Sequence, residues 1–529
     1  MASAVARAQV TSVVPRPAKL VEHAGSFTIT RQTVIHADDA SAGVARQLAR
    51  SLEPAMGFRL AVQVGAGSHA TGIVLRNDTK LKRLGAEGYA LDATTKRVLM
   101  RATAPAGMFY ATQTLRQLLP PDVFRDAPEG VTRWTVPAVS IEDAPRFSWR
   151  GAHLDVSRHF MPKAFVEKYI DLLALHKMNT FHWHLTDDQG WRIEIMKYPR
   201  LTSVGAWRSG TLVGKPKSDS TKNVFDGVRH GGFYTQADIR EVVAFAAERH
   251  VTIVPEIEMP GHARAAIAAY PWLGVGGDTI GVWGMWGVTD HILAPTDSAV
   301  SFMQDVLTEV LALFPGPFIH VGGDEAFKDR WKTDSVVQRR IRELGLKDEH
   351  EMQSWFIRQM DTWLAARGRR LVGWDEILEG GLAPGATVMS WRGTKGGIEA
   401  ARAGHDVVMA PQRPTYFDHS QTRDRAAEGT TIGGFNPIDS VYAFEPVPAE
   451  LDSIAAKHVL GAQSQMWTEY VPDARRAEQM VFPRLSALSE VLWTPAAQRD
   501  FSDFTRRMAT HEARLQALDV NYWRPPLIP

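Results

Sequence analysis

The chain has 529 residues, of which 44% are hydrophobic and 22% are charged, and its formal net charge is +1. This length predicts two or three domains of an ordinary globular protein, and the near-neutral charge offers no basic field for nucleic acid. Because there is no cysteine, disulfides, thiolate catalysis and cysteine-bound zinc are excluded.

The N-terminal part of the chain predicts an accessory domain. Residues 1–20 are polar and interrupted by proline, which is typical of a loose lead-in segment. Residues 21–143 combine short strand-like runs with two amphipathic helices, at 40–56 and 105–119, and predict a small α+β domain. This region contains no cluster of titratable residues that suggests chemistry.

The N-terminus also bears on the compartment. It lacks a basic segment followed by an apolar core, so no signal peptide is visible, although a protein whose signal had been removed would look the same. We favour a periplasmic or secreted protein, with a cytoplasmic one as the alternative. No apolar run approaches the roughly 20 residues that a membrane span requires.

Residues 144–495 alternate strand-like runs with helices. The runs lie at 151–156, 180–185, 251–257, 318–321, 370–374, 387–391, 406–409 and 459–463. Repeated βα units of this kind predict a (β/α)8 TIM-type barrel. The remaining segment, 496–529, predicts a helical tail packed on the barrel.

Polar and aromatic residues follow every predicted strand, and in such barrels the chemistry occurs at the carboxyl ends of the strands. The residues at these ends include Arg158, His182, His184, Asp187, Glu256, Glu258, His262, His320, Asp324, Glu325, Trp374, Trp391, Tyr416, Asp418, Trp467 and Glu469. Carboxylates and arginine bind hydroxyl groups directionally, whereas indoles stack on apolar C–H faces. This combination predicts a pocket for a neutral ligand with many hydroxyl groups.

The adjacent carboxylates Asp324 and Glu325 are the most unusual feature. They follow a buried strand and the paired glycines 322 and 323. In a partly buried place each negative charge raises the pKa of the other, so such a pair is either solvated or used in chemistry.

A metal site is the competing interpretation of the same strand ends. The available ligands are His182, His184, Asp187, Asp188, His262 and His320. A metallohydrolase barrel would use such residues, but this hypothesis leaves the carboxylate pair and the tryptophans unexplained. We therefore predict neither a metal nor another cofactor.

Residues 320–325, HVGGDE, resemble the His-x-Gly-Gly-Asp-Glu signature of family 20 glycoside hydrolases, the β-N-acetylhexosaminidases. Further blocks at 154–159, 182–192, 255–262 and 373–376 look like family blocks in the family order. The resemblance implies a retaining exo-enzyme that releases terminal β-linked GlcNAc or GalNAc by substrate-assisted catalysis through an oxazolinium intermediate. The implied partner is an oligosaccharide or glycoconjugate, with no nucleic acid and no membrane span, and the chain is expected to be a monomer or homodimer.

The resemblance also implies individual roles. Glu325 resembles the general acid and base, Asp324 the partner of the acetamido N–H, and Tyr416 the hydroxyl donor to the acetamido oxygen. The implied supporting residues are Asp187, His262 and His320. The implied sugar-binding residues are Arg158, Trp374, Trp391, Asp418, Trp467 and Glu469.

Two further expectations accompany these roles. The negative charge of Asp324 should help to keep Glu325 protonated. Loop 281–290 is where variation and leaving-group specificity are expected. The alternatives to an active glycosidase are an inactive carbohydrate-binding relative and the barrel metallohydrolase.

Overall fold

The computed structural model describes residues 11–65, 71–131 and 133–524. The chain divides into two compact units. The first comprises residues up to Ser148 together with 174–177 and the segment from Phe482 to Pro525, and the second comprises 149–173 and 178–481. None of the described helices is sufficiently long and apolar to cross a membrane.

The first unit contains a mixed sheet with two helices. Its strands are β1 (Lys19–Ile29), β2 (Val34–Ala37), β3 (Ala61–Val64), β4 (Gly72–Asn77), β5 (Tyr89–Ala93), β6 (Arg97–Ala102) and β7 (Trp134–Asp143). The spatial order is β1-β7-β5-β6-β4-β2-β3, in which β2, β3, β4 and β6 run parallel to their neighbours within that group. The helices are α1 (Ala42–Met56) and α2 (Pro105–Leu118).

The predicted lead-in is packed where the structure describes it. Val13 and Val14 are buried, and Val14 exchanges backbone hydrogen bonds with the side chain of Gln117. A loose segment at 11–20 is therefore a wrong prediction, because the apolar pair is buried and the backbone of Val14 is bonded by Gln117 of α2. Residues 1–10 lie outside the described part.

The second unit is a closed barrel. Its parallel strands are β8 (Trp149–Asp155), β9 (Thr180–His184), β10 (Thr252–Glu256), β11 (Phe318–His320), β12 (Arg370–Trp374), β13 (Thr387–Ser390), β14 (Val407–Met409) and β15 (Val459–Ser464). Each strand pairs with the next, and β15 pairs with β8. The predicted TIM-type barrel, preceded by a small α+β domain, is confirmed.

The longer helices follow the strands as the sequence predicts. They are α3 (Lys163–Leu175), α4 (Gln236–Ala247), α5 (Asp297–Leu313), α6 (Glu349–Ala365), α7 (Lys395–Arg402), α8 (Ala474–Val481), α9 (Arg484–Trp493) and α10 (Phe501–Ala517). Thr235 caps α4 in a reciprocal capping box with Asp238, as expected for a threonine at this position. Pro483 separates α8 from α9, because proline offers no backbone N–H to continue the helix.

Further helices, of four to nine residues, occupy the loops. They are Arg200–Ser203, Arg264–Ala269, Asp329–Thr333, Ser335–Glu343, Gln412–Thr415, Arg425–Glu428 and Ile438–Ala443. Four two-residue strands form two short antiparallel pairs in the loops after β9: Thr186–Asp187 pairs with Gly190–Trp191, and Trp207–Arg208 pairs with His230–Gly231.

Helix α10 belongs to the first unit, which differs from the predicted tail packed on the barrel. Arg507 donates to the carbonyl of Val13 and pairs with Glu490, and Arg514 donates to the carbonyl of Gln117. These arginines are buried, so their position requires acceptors that the lead-in, α2 and α9 provide.

The barrel interior contains a polar layer around the carboxylate of Glu256. Its Oε1 lies 2.8 Å from Nδ1 of His320 and accepts a 2.8 Å hydrogen bond from Nε1 of Trp374, while Oε2 contacts His182 and His184. Burial alone would raise the pKa of Glu256, but the surrounding histidines hold it well below its ordinary value. Three of the four histidines of the metal hypothesis therefore surround a carboxylate of the barrel core, and the fourth, His262, lies elsewhere.

Candidate active site

A cavity of about 600 Å³ is lined by residues that follow the barrel strands. The predicted residues that line it are Arg158, His262, Asp324, Glu325, Trp374, Trp391, Tyr416, Asp418, Trp467 and Glu469. Asp187 and His320 do not line it. His320 lies in the polar layer beneath the cavity, and Asp187 lies behind the wall.

The turn after β11 places the two carboxylates. Gly322 and Gly323 have φ angles of 68° and 92°, in the left-handed region that favours glycine. A Cβ atom at position 322 would lie 1.7 Å from Oε2 of Glu258, so the approach of this buried carboxyl also requires glycine. Glu325 itself has a φ of 45°, an uncommon conformation for a side chain of this size and one that concentrates at functional sites.

The two carboxylates have different surroundings. Asp324 is buried, whereas the side chain of Glu325 is 40% exposed. Nε2 of His262 lies 3.5 Å from an oxygen of each. A single imidazole therefore contacts both carboxyl groups.

The pKa values of the pair are opposite to our expectation. Burial, only partly offset by the charge of His262, raises the pKa of Asp324 to about 6. For Glu325, the effect of burial is outweighed by the hydrogen bond and charge of His262 and by Arg158, so its pKa is lowered. The expectation that Asp324 keeps Glu325 protonated is thus wrong for the unliganded protein, because cations from other strands act on Glu325 more strongly.

Asp187 connects two walls of the cavity. Its Oδ1 lies 3.2 Å from Nδ1 of His262, and its Oδ2 lies 2.8 Å from Nη2 of Arg158 and 2.8 Å from Nε2 of His184. Asp188 also contacts Nδ1 of His262, at 3.2 Å. Burial alone would lower the pKa of His262, but the charges of Asp187 and Asp324 raise it well above its ordinary value and keep it an imidazolium.

Several polar atoms of the walls point to a polar ligand. Arg158 is held by Asp187 and by Gln189, whose Oε1 accepts from Nε at 3.0 Å, yet its Nη1 makes no hydrogen bond within the described residues. The same is true of Oδ1 of Asp324 and Oε2 of Glu469. Buried polar atoms are normally satisfied, so this pattern fits a hydroxylated ligand at the cavity.

Four aromatic residues form the apolar part of the walls. Trp374 and Trp467 have ring centroids 5.9 Å apart, and Trp391 stacks on Tyr416 with centroids 6.2 Å apart and an angle of 23°. The guanidinium carbon of Arg158 lies 4.9 Å from the centroid of the Trp467 ring. Trp374, Tyr416 and Trp467 belong to the hydrophobic core of the barrel, which holds them rigidly, whereas Trp391 is only partly buried and packs against this core.

Some cavity residues were absent from our predicted set. They are Arg392, Gly393, Gln412, Arg413, His419, Ile432, Gly433 and Gly434. Arg392 follows Trp391 directly and was recognisable as a strand-end residue, whereas 432–434 lie in a loop without any motif. The negative charge of Asp324 also helps burial to raise the pKa values of two further buried carboxyls, Glu258 and Glu376.

Loop 281–290 does not line the cavity. Its Met285 carbonyl accepts a 3.0 Å hydrogen bond from Nε2 of Gln189, the residue that binds Arg158. The loop therefore supports a wall from outside, and its influence on leaving-group specificity remains a prediction.

Models of protein families were compared with the chain that contains this site. The model of the glycosyl hydrolase family 20 catalytic domain matches residues 147–496, and that of domain 2 of the same family matches residues 10–144. The chain belongs to glycosyl hydrolase family 20.

Individual family 20 proteins resemble the chain over most of its length. A β-hexosaminidase of Porphyromonas gingivalis is 44% identical over 97% of this chain, which spans 64% of that protein's length. A β-N-acetylhexosaminidase of Cellulomonas fimi is 32% identical, covering 94% of this chain and 93% of its own. The solved family 20 β-N-acetylhexosaminidase of Streptomyces coelicolor A3(2) has a TM-score of 0.84 and 34% identity, with 98% of each chain covered.

A second structure bears on the ligand. A mutant β-hexosaminidase of Streptomyces plicatus, solved with its product GlcNAc, has a TM-score of 0.84 and 34% identity, covering 98% of this chain and 97% of its own. Together these matches confirm the predicted family and the predicted enzyme class, a glycoside hydrolase of the β-N-acetylhexosaminidase type.

Proposed function

We propose that the chain is a retaining exo-β-N-acetylhexosaminidase that removes terminal, non-reducing β-linked GlcNAc or GalNAc, with the substrate's own acetamido oxygen as nucleophile. The observation that supports this proposal most strongly is that the carboxyl groups of the neighbouring residues Asp324 and Glu325 both lie 3.5 Å from Nε2 of His262. A retaining glycosidase with a protein nucleophile needs two carboxyls on opposite sides of the bond, about 5–5.5 Å apart. Adjacent residues that share one imidazole do not meet this need, whereas substrate assistance requires only one acid at the bond.

In the proposed first step, Glu325 donates a proton to the glycosidic oxygen while the acetamido oxygen attacks the anomeric carbon. The bond to the leaving group breaks, and an oxazolinium ion forms. Asp324 accepts the acetamido N–H and stabilises the positive charge, and the hydroxyl of Tyr416 donates to the acetamido oxygen. Burial raises the pKa of Tyr416 well above its ordinary value, so the hydroxyl remains a donor.

In the second step, Glu325 removes a proton from water, which attacks the anomeric carbon and opens the oxazolinium ring with net retention. Its partial exposure gives water access to the same carboxylate. One residue therefore acts first as acid and then as base.

The walls support an exo mode of action. We propose that Arg158, Asp418 and Glu469 bind the outer hydroxyls of the terminal sugar. Trp374, Trp391 and Trp467 would enclose its acetamido group. His262 and Asp187 would hold the acid in place, and His320 would act from below through the polar layer around Glu256.

The proposal is tested with two aryl glycosides that differ only at carbon 2. We expect kcat/KM for p-nitrophenyl N-acetyl-β-glucosaminide to exceed that for p-nitrophenyl β-glucoside by at least about a thousandfold, because an intramolecular nucleophile is lost in the second. Comparable cleavage of both would refute substrate assistance. No turnover of either would favour the inactive carbohydrate-binding relative, and loss of activity with a chelator, restored by zinc, would favour the metallohydrolase.

The pH dependence depends on the proton that Asp324 and Glu325 share. The productive form carries it on Glu325, whereas in the free protein the pKa of Asp324, about 6, places it on Asp324. The two forms differ only in which carboxyl group carries the proton, so the ratio of their populations does not change with pH. Above about pH 6 this proton is lost from both forms, and kcat/KM should therefore fall about tenfold per pH unit. It should fall again in acid, where a second proton binds.

A pH profile of kcat/KM with the aryl N-acetylglucosaminide measures this dependence. A plateau that extends unchanged to pH 8 would mean that the shared proton is not the one lost near pH 6. The asparagine variant of Asp324 provides the control, because the alkaline limb of its residual activity should begin at a lower pH, set by the lowered pKa of Glu325.

We further propose an oligosaccharide or glycoconjugate with a terminal β-GlcNAc or β-GalNAc as the natural partner, and a monomer or homodimer as the active form. A panel of β-linked oligosaccharides with products separated by size tests the first point, and exo action predicts release of single sugars only. Light scattering of the pure protein tests the second.

A further inference from the structure

Glu376 lies beside the cavity without lining it, and the proposed reaction leaves it without a role. It is the second residue of the short 3-10 helix Asp375–Leu378 that follows β12, and it is 9% exposed. Its Oε2 accepts a 2.9 Å hydrogen bond from Nε1 of Trp391, a ring that lines the cavity. Glu376 thus anchors the edge of a cavity wall from behind.

The backbone and the ring of Trp391 are held by different carboxyl groups. Oδ2 of Asp375 accepts from the backbone N–H of Trp391 at 3.2 Å and from that of Arg392 at 3.3 Å. Asp375 and Glu379 also bind the guanidinium of Arg392, whose Nε lies at the longer distance of 3.7 Å from Oε1 of Glu376. Because these contacts hold the main chain, a change at Glu376 alters the orientation of the indole more than the position of the loop.

The ring of Trp391 requires such an anchor. The residue is only partly buried, and its packing comes from the stacked ring of Tyr416 on one side. Ring stacking leaves rotation within the plane of the indole weakly restrained, whereas a hydrogen bond at Nε1 fixes it. The positions of Trp391 and Tyr416 are therefore coupled to Glu376.

The charge of Glu376 suits this task. Burial and the negative charge of Asp324 raise its pKa to about 8, so the carboxyl is neutral in neutral solution. A neutral carboxyl still accepts the indole hydrogen bond, and it adds no second negative charge beside Asp324.

We propose that Glu376 is a positioning residue that sets, through Trp391, the length of N-acyl group that the pocket accepts. This inference rests on the proposed function, in which Trp391 is a wall of the acetamido pocket. A wall held at Nε1 fits an acetyl group closely, and a wall free to rotate admits a longer chain.

The test compares p-nitrophenyl β-glycosides of N-acetyl- and N-butanoylglucosamine. In Glu376→Leu, which lacks an acceptor, kcat/KM for the N-acetyl substrate should fall about tenfold, the effect of one lost hydrogen bond. The preference for N-acetyl over N-butanoyl should fall by a similar factor. In Glu376→Gln, whose amide oxygen still accepts, the preference should stay within about twofold of the wild type.

Two further variants separate the effect of the hydrogen bond between Glu376 and Trp391 from other effects. Glu379→Gln weakens the contacts of Glu379 with Arg392 and His350 and should leave the acyl preference unchanged. Trp391→Phe removes the donor and should relax the preference as Glu376→Leu does, and combining the two should add little, since both remove the same bond. If Glu376→Leu fails to fold, Glu376→Met, which also offers no oxygen acceptor, takes its place in the comparison.

The outcomes separate the inference from the proposed function. An equal loss on both substrates in Glu376→Leu, or additive effects in the double variant, would overturn the positioning role while leaving substrate assistance intact. An unchanged acyl preference in Trp391→Phe would show that Trp391 is not the acetamido wall. Efficient cleavage of the plain β-glucoside by the wild type would instead overturn the proposed function itself.

Discussion

Replacement of Asp324 by asparagine is expected to lower kcat on N-acetyl-β-glucosaminides by about 10²–10³-fold, the cost of removing one preorganised electrostatic group at a developing charge. Asparagine keeps an oxygen that can accept the acetamido N–H, but it lacks the negative charge that stabilises the oxazolinium ion. Initial rates on the aryl substrate measure the loss. A kcat near that of the wild type would show that Asp324 does not orient the acetamido group or stabilise the charge of the oxazolinium ion.

The same variant is expected to be more stable at pH 7. The pKa of Asp324 rises from 3.8 to about 6 on folding, so the folded state binds this proton more tightly and stability decreases as pH rises from about 4 to 6. At about 1.4 kcal/mol per pKa unit, asparagine should gain up to about 3 kcal/mol above pH 6 and almost nothing at pH 4. Thermal unfolding at the two pH values measures the difference.

Asp361→Asn is the matched control for Asp324→Asn. Asp361 is also buried, burial likewise raises its pKa, and it does not line the cavity. This variant should keep full activity. If both variants lose activity, the loss reflects a general change in the barrel rather than the charge of Asp324.

Replacement of Glu325 by glutamine is expected to have an effect that depends on the leaving group. For an oligosaccharide, whose leaving alcohol needs a proton, kcat/KM should fall about 10³-fold, within the range of general acid catalysis. For a dinitrophenyl glycoside, whose leaving group departs as an anion, kcat/KM should fall less than about tenfold. We specify kcat/KM because it reports the first step, whereas kcat also includes attack of water, in which Glu325 is the base.

A series of aryl N-acetylglucosaminides with leaving groups of increasing pKa measures this dependence. In the variant, log kcat/KM should decrease steeply with leaving-group pKa, and in the wild type only slightly. Glu379→Gln is the control, because its side chain is 38% exposed and that of Glu325 is 40% exposed. Equal losses across the series would assign Glu325 a role other than proton donation.

The barrel and most of its site were predictable because each strand and the polar residues after it are recognisable within a short stretch of sequence. Each strand was recognised from a short apolar run between helices, and the observed bounds lie close to the predicted ones. In a parallel barrel the carboxyl ends of all strands meet on one face, so residues from distant segments could be assigned to one pocket without any distance. Trp374, Trp391 and Trp467 are examples.

Other features of the fold and the site depend on contacts between residues that are distant in the sequence, and these cannot be predicted from a short stretch of it. The motif-free loop at 432–434 reaches the cavity only through the path of the chain after β14. His320 belongs to the family signature, yet it lies in a layer around Glu256 because β10 and β11 are neighbours. Helix α10 groups with the first unit because its buried arginines bind acceptors far away in the sequence.

The residue pattern of the chain is sufficient to predict the barrel, the family and the two adjacent carboxylates. Which of the two carboxylates carries the shared proton follows from the surroundings that the folded chain gives them. His262 and Arg158 come from different strands and lower the pKa of Glu325, while burial raises that of Asp324. Burial and the distances between charges arise only when the strands close into a barrel, so a sequence motif cannot state them.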